Sequence, residues 1–330
     1  MKLKLAIIGC GIKASQYITT WIERDDIEII AVADPNEKAL DQVTEIAKNA
    51  NKTIPAQFTD WQEMLDTHKE LLNSVYICTP HALHAKQAEA ALHAGLDVLL
   101  EKPMVTTVDE AKLLHQAQLS SKKQVVIAYQ GGLSPLVHQL SADIEIKKYG
   151  ELSSISASIW ENWAETYTGH WKQVPEISGG GFMFDTGAHM MNTVSMLCGK
   201  DFKRISAFMS NKGKPVDVVT TVMGQLTDGT SFSMHACGET IGCTSRIECF
   251  FTHAIVRICA WGRWIEIEHE SGEIIRSEQE SANNLINIFQ QTLLNEIENP
   301  SSVIQGLKMA KLWDSIKESA KQDGRPVTCK

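Results

Sequence analysis

The sequence predicts an α/β protein whose N-terminal half is a doubly wound parallel sheet and whose C-terminal half is a mostly antiparallel sheet closed by helices. Three observations carry this. Short apolar strands alternate with helical patterns in the first part, the sequence form of βαβ units. After Pro135 the pattern changes to a run of alternating strands. A length of 330 residues makes two domains the natural prior.

In order, residues 3–8 read as the first strand, 14–23 as its helix, 27–33 as strand two and 37–48 as the next helix. Residues 75–78 read as strand four, 83–94 as a helix, 98–100 as strand five, and 125–128 close this half. The Val98-Leu99-Leu100 run follows the turn signal Gly95 and ends abruptly in Glu101-Lys102-Pro103. Charged residues at the carboxyl end of a buried parallel strand lie over the crevice where open α/β sheets bind ligands. A solvated Lys-Pro turn is the alternative. A cis Lys102–Pro103 bond is one way to hold the lysine there.

The second half begins with a helix from Pro135 to about residue 148. Strands follow at 153–160, 204–209, 218–226, 231–237, 246–251, 255–259 and 264–268, with Asp228-Gly229 as a hairpin turn. Helices over 282–298 and 303–321 finish the chain, separated by Asn299-Pro300-Ser301. The expected domains are 1–129 and 130–330, with the terminal helices packing back toward the first domain.

Composition narrows the function. Hydrophobic residues at 43% and charged residues at 22% are ordinary for a soluble chain with a large core. A net charge of −9 without a Lys/Arg cluster argues against nucleic acid. No apolar run approaches the ~18 residues of a membrane span. Residues 1–10 superficially resemble a signal ending in a lipidated cysteine. Their apolar core is about half a normal h-region, however, and Lys13 follows at once, so a first strand is the better reading. The eight cysteines form no CxxC pair, which points to a reducing, cytoplasmic compartment.

Gly9-Cys10-Gly11-Ile12-Lys13-Ala14 is G-x-G-x-x-A directly after strand one. The first glycine allows the tight turn and the second lets a pyrophosphate approach the backbone. Ala14 keeps helix and strand close, and the helix N-terminus supplies N–H donors. Asp34 ends strand two about twenty residues on, where a carboxylate takes ribose hydroxyls and repels a 2′-phosphate, so NAD is favoured over NADP. The alternative for the Asp34-Pro35-Asn36 turn is a plain helix N-cap. Thr79-Pro80 ends strand four as Glu101-Lys102-Pro103 ends strand five, placing two polar strand ends over the same crevice.

A second constellation runs from Ser178 to His189, a glycine-rich turn leading into a helix. Asp185 and His189, four apart, are expected on one helical face. A carboxylate beside an imidazole fixes its tautomer and raises its basicity, which suits a general base. Asp185 as a helix N-terminal residue with a packed His189 is the plainer alternative. A metal pair with His170 is disfavoured, because no second Asp, Glu or Cys stands at suitable spacing. Upstream, Trp163, Tyr167, His170 and Trp171 interleave aromatic and polar groups, which suits a pocket that stacks on a sugar face. For the preceding Trp160, burial in a core strand is preferred.

Together these pieces resemble the glucose-fructose oxidoreductase / inositol dehydrogenase (Gfo/Idh/MocA) family over nearly the whole chain. The likeness runs from the Gly9-Cys10-Gly11 loop through Thr79-Pro80, His84, Ala94-Gly95 and Glu101-Lys102-Pro103. It continues in Gly169-His170-Trp171-Lys172, Ser178-Gly179-Gly180-Gly181, Asp185-Thr186-Gly187-Ala188-His189 and Asp323-Gly324-Arg325-Pro326-Val327. The resemblance implies a Rossmann domain, then an α+β domain whose open-faced sheet forms a homodimer or homotetramer interface. It implies a catalytic group of Lys102, Asp185 and His189: the histidine takes the proton of a sugar or polyol hydroxyl and the lysine bridges substrate and cofactor. Gly9, Gly11, Ile12, Lys13, Asp34, Thr79, Pro80, His84, Glu101, Lys102, Gln130, Trp171 and Lys172 are its expected cofactor contacts. Lys102, Trp163, Tyr167, His170, Trp171, Asp185 and His189 are its expected substrate contacts.

Two departures matter. Gln130 stands where relatives often carry an arginine, and Trp171-Lys172 replaces the common Trp-Arg. The lost bidentate fork disfavours a phosphorylated or nucleotide-linked substrate. The expected activity is an NAD-dependent sugar or polyol dehydrogenase. Its rivals are an NAD-assisted glycoside-cleaving enzyme and a non-catalytic dinucleotide sensor.

Overall fold

Apolar runs too short for helices dictate the first sheet. In the computed structural model, which describes residues 2–279 and 285–330, the chain divides into two units. The first comprises Met1–Val105, Asp109–Ile127 and Ile286–Val303, and the second comprises Thr106–Val108, Ala128–Leu285 and Ile304–Lys330.

The first unit runs β1 (Leu3–Ile8), α1 (Ile12–Trp21), β2 (Ile27–Ala33), α2 (Glu37–Asn49), β3 (Ala56–Phe58) and α3 (Trp61–His68). It continues with β4 (Ser74–Ile77), α4 (His84–His93), β5 (Asp97–Leu100), α5 (Val108–Ser121) and β6 (Val125–Ile127). The six strands lie in the order β3-β2-β1-β4-β5-β6, every pair parallel. Strand order reverses between β1 and β4, so the residues after Ile8 and Ile77 flank the crevice such sheets use for ligands. The segment Ile286–Val303 is tied in here: Ile127 N–H donates to Ser301 O (2.9 Å) and Asn299 Nδ2 to Val125 O (2.8 Å).

The second unit carries α6 (Pro135–Glu145), β7 (Leu152–Glu161), three short helices, α7 (Trp163–Thr166), α8 (Pro175–Ser178) and α9 (Phe182–Asp185), and the longer α10 (Gly187–Cys198). Strands follow: β8 (Phe202–Ser210), β9 (Val219–Leu226), β10 (Ser231–Cys237), β11 (Cys243–Phe251), β12 (Ala254–Ile258), β13 (Trp264–His269) and β14 (Ile274–Glu278). The chain then passes through α11 (Leu285–Leu293), which from Ile286 on belongs to the first unit, before α12 (Val303–Lys321) and β15 (Val327–Thr328) close it. The sheet order is β14-β13-β12-β11-β7-β10-β9-β8-β15. Only β7 and β10 pair in parallel, so the sheet is mixed and mostly antiparallel. The Asp228-Gly229 turn joins β9 to β10, with Gly229 at φ 94°.

Several expected bounds shift. The helix after Pro135 stops at Glu145, because Lys147 turns left-handed (φ 54°). Residues 282–284 of the helix expected over 282–298 lie outside the described residues. Its other end is at Leu293, two residues before left-handed Asn295 (φ 55°). Strands β3 and β14 and helices α3 and α5 have no counterpart in the sequence reading. β3 has three residues and none is buried, while every residue of β14 is exposed, so neither carries the apolar signature that reveals a strand.

Candidate active site

The glycine loop is set by backbone contact. Gly9 has φ +88°, and a Cβ there would lie 2.4 Å from Cys78 O, so the crossing of β1 and β4 admits glycine alone. Gly11 is different. It caps α1 in extended conformation, and a Cβ there would meet nothing within 4 Å. The protein's own packing does not demand this glycine, and the space above it lies over the N–H groups that open α1. That is the cradle a pyrophosphate needs. Ala14 is fully buried, as close helix-to-strand packing requires, whereas Ile12 is 82% exposed and Lys13 is exposed beside it.

Asp34 locks this loop. Its Oδ2 accepts the Cys10 N–H and its Oδ1 the Asn36 N–H, both at 2.8 Å. The cap of α2 is Asn36, whose side chain accepts from Lys38 N, so Asp34 is not the helix cap. The residues fit a dinucleotide: open glycine cradle, bare helix N-terminus, and a half-buried carboxylate tied to the loop.

At the neighbouring strand ends, Thr79 and Pro80 are half-buried and Lys102 likewise, and the Lys102–Pro103 peptide is cis. Glu101 is buried, its Oε1 accepting from Tyr76 OH (2.8 Å) and its Oε2 from Lys102 N (3.3 Å). The expectation that His84 touches the cofactor is corrected. The side chain is fully buried, with Nδ1 2.8 Å from Pro103 O and Nε2 2.9 Å from Thr79 O.

In the second unit, Trp163, Tyr167, His170, Trp171, Lys172 and Asp185 form one cluster. Lys172 Nζ lies 2.7 Å from Asp185 Oδ2 and 4.2 Å from the centre of the Tyr167 ring. Trp163 Nε1 donates to the same Asp185 oxygen at 2.9 Å. Tyr167 packs on His170, which packs on Trp171. Burial alone would lower the Lys172 pKa, but Asp185 and Tyr167 outweigh it and hold the ammonium above its ordinary range. Burial, with Lys172 adding to it, lowers that of His170.

Two expectations change here. Trp163 is fully buried and cannot stack on a sugar; its indole instead fixes Asp185. Asp185 is 1% exposed, with the Lys172 ammonium and the Trp163 indole both on its Oδ2. Asp185 and His189 do not share one helix. Asp185 ends α9 and His189 lies in the first turn of α10, with Thr186 capping both. Thr186 Oγ1 in turn donates to Glu161 Oε2 (2.9 Å). His189 itself is buried at 8% exposure, its ring 6.0 Å from that of Trp261.

Asp217 is a residue the sequence reading misses. Its Oδ1 accepts Gly181 N–H (2.7 Å), its Oδ2 Met183 N–H (3.0 Å), and its carbonyl Phe182 N–H (2.9 Å). A Cβ on Gly181 would come within 1.9 Å of Asp217 O, which explains the third glycine of the turn. Burial raises the Asp217 pKa despite these donors. Trp261 and Glu161 were also unmarked. Each lies far along the chain from the residue it serves, so no local pattern announces it. Gln130 precedes a tight turn over Gly131–Leu133 and is half-buried; Tyr167 is half-buried and His170 exposed.

Comparison with known proteins bears on both units. Residues 3–129 match the model of the oxidoreductase family with NAD-binding Rossmann fold (GFO_IDH_MocA), and residues 137–257 match that of the GFO/IDH/MocA C-terminal domain. Oxidoreductase P35 of Formosa agariphila is 30% identical over 196 residues, 58% of this chain and 59% of that protein. Levoglucosan dehydrogenase of Pseudarthrobacter phenanthrenivorans is 27% identical over 63% of this chain and 54% of its own length. The matches thus span little more than half of these relatives. Among solved structures, aldose-aldose oxidoreductase of Caulobacter crescentus, complexed with glycerol, superposes with a TM-score of 0.86 at 18% identity. That match covers 99% of this chain and 100% of the other, and it shows the shared fold.

Proposed function

This chain belongs to the GFO/IDH/MocA oxidoreductase family, and on that premise we propose that it transfers a hydride between a secondary alcohol of an uncharged sugar, glycoside or polyol and NAD. The observation that carries the catalytic reading is the Lys172–Asp185–Trp163 cluster, whose carboxylate stands four residues before His189. An ammonium and an indole N–H on one carboxylate oxygen hold Asp185 in place. It therefore acts as a positioning residue, and His189 is the group that takes the hydroxyl proton.

Gly9, Gly11, Ile12, Lys13, Asp34, Thr79, Pro80 and Gln130 are the residues we assign to the cofactor. Asp34 disfavours a 2′-phosphate by charge, so NAD is preferred over NADP. Bound NAD supplies the acceptor for the carbinol hydride. As that C–H bond breaks, the hydroxyl proton passes to His189 and the carbon becomes a ketone. Lys102 places a positive charge against the alkoxide while it develops. Tyr167, His170 and Trp171 contact the sugar. The Lys172 charge is neutralised by Asp185, which leaves it a poor partner for an anionic substrate.

The test is a panel of monosaccharides, glycosides and inositols, with NAD and NADP, followed by nicotinamide absorbance. NADH should accumulate with at least one uncharged polyol, and Lys102→Ala should lower that rate by about 10²-fold or more. Release of an aglycone without NADH would instead favour cleavage by transient oxidation. Tight NAD binding with no reduction by any member would favour a sensor.

A further inference from the structure

We propose that His84 is a positioning residue for Lys102: its imidazole straps the chain leaving β4 to the chain leaving β5, fixing the backbone that bears the lysine. The proposal deepens the reading of Lys102 above and rests on it. Thr79 is the second residue after β4, and Pro103 directly follows Lys102. His84, the first residue of α4, reaches both, with Nε2 2.9 Å from Thr79 O and Nδ1 2.8 Å from Pro103 O. Gln87, one turn further along α4, takes a second hold, its Oε1 accepting from Thr79 Oγ1 at 2.6 Å.

Lys102 is anchored from its other side too. Its N–H donates to Glu101 Oε2, and Glu101 Oε1 is held by the phenol of buried Tyr76. The residue before Lys102 and the residue after it are thus both tied to buried groups. A histidine that merely filled space would need neither carbonyl. One at this position also has a polar ring deep in a protein interior, where each contact it makes counts heavily.

The neutral ring carries one N–H, and two carbonyls face it. Burial lowers the pKa of His84. Among the charged groups around it, Lys102 adds to that lowering and Glu101 opposes it, and the His81 ring stands 5.8 Å away. The neutral ring therefore donates to one carbonyl, and with that bond on Pro103 O the Thr79 Oγ1 bond to Gln87 holds the β4 side of the strap. Protonation on acidification supplies the second donor and tightens the strap.

Hydrogen exchange on the cofactor-free protein tests this without relying on turnover. His84→Leu should lower protection of the amides of residues 101, 102 and 104 by about 10-fold or more while leaving β1 and β6 protected. It should also lower kcat by about 10- to 100-fold with a smaller change in KM, the mark of a misplaced catalytic group. His84→Gln, which retains an N–H donor, should recover part of both effects. In the wild type, nitrogen NMR should show a slowly exchanging, hydrogen-bonded ring N–H. Unchanged protection or unchanged kcat in His84→Leu overturns the proposal, as does a ring N–H that exchanges at the solvent rate. Should Lys102→Ala turn over like the wild type, the reading of Lys102 fails, whereas the exchange data judge the strap on their own.

Discussion

Lys172 shows how one side chain's partner decides its role. Read locally, Trp171-Lys172 is a weakened version of a Trp-Arg pair that would face a cofactor. In the folded chain its ammonium is 2.7 Å from a carboxylate 13 positions on, and that distance along the chain hides the pairing. Lys172→Met should destabilise the second unit by about 3–5 kcal/mol, since it leaves Asp185 buried without its counter-ion. It should also raise the His170 pKa, because Lys172 lowers it now; an unmoved His170 titration in NMR would contradict the cluster. The two glycines of the first motif separate in the same way. Gly9→Ala must move the Cys78 carbonyl and should lower Tm sharply. Gly11→Leu should leave Tm near wild type yet weaken NAD binding, as calorimetry would read. Equal effects of the two on Tm would remove the distinction. Glu101-Lys102-Pro103 was legible because its signal is local, an apolar run broken by charge. Asp217 was not, since it holds Gly181 from 36 positions away.

Elements were legible where burial wrote a period into the sequence. β2, β10 and α12 fall at the expected bounds, each a clear apolar pattern. The break between α9 and α10 is hidden in the sequence: a spacing of four suggests one helix, yet the chain re-caps at Thr186. The parallel pairing of β7 with β10 was equally hidden, because register depends on partners rather than on a strand's own residues. The end of α6 offers a pH-dependent test at this scale. Buried Asp143 accepts from Lys148 Nζ (2.8 Å), Tyr149 OH (3.0 Å) and Gln139 Nε2 (2.8 Å). Burial would raise its pKa, but these donors outweigh that and lower it. A carboxyl whose folded pKa lies below its unfolded value adds stability above the ordinary aspartate range, and loses it as pH falls through the lower folded value. Asp143→Asn should therefore lower Tm at neutral pH and narrow the gap to wild type under acid. A constant gap across that range would contradict the assignment.

At the scale of the whole chain, each unit carries its own part of the candidate machinery. The first holds an NAD-binding Rossmann sheet with an open glycine cradle, and the second holds a carboxylate fixed by Lys172 and Trp163. The fold class was legible throughout, since βαβ alternation followed by consecutive strands specifies it. The substrate was less so, because contacts such as that of the Trp261 ring with His189 arise only through tertiary packing. The central claim is that His189 accepts the proton of an alcohol whose hydride goes to NAD. The most direct measurement compares wild type and His189→Ala for NADH formation with the best sugar of the panel, alongside NAD binding by each. The account predicts a rate loss of about 10²- to 10⁴-fold with NAD affinity retained. Equal turnover by the two proteins would contradict it.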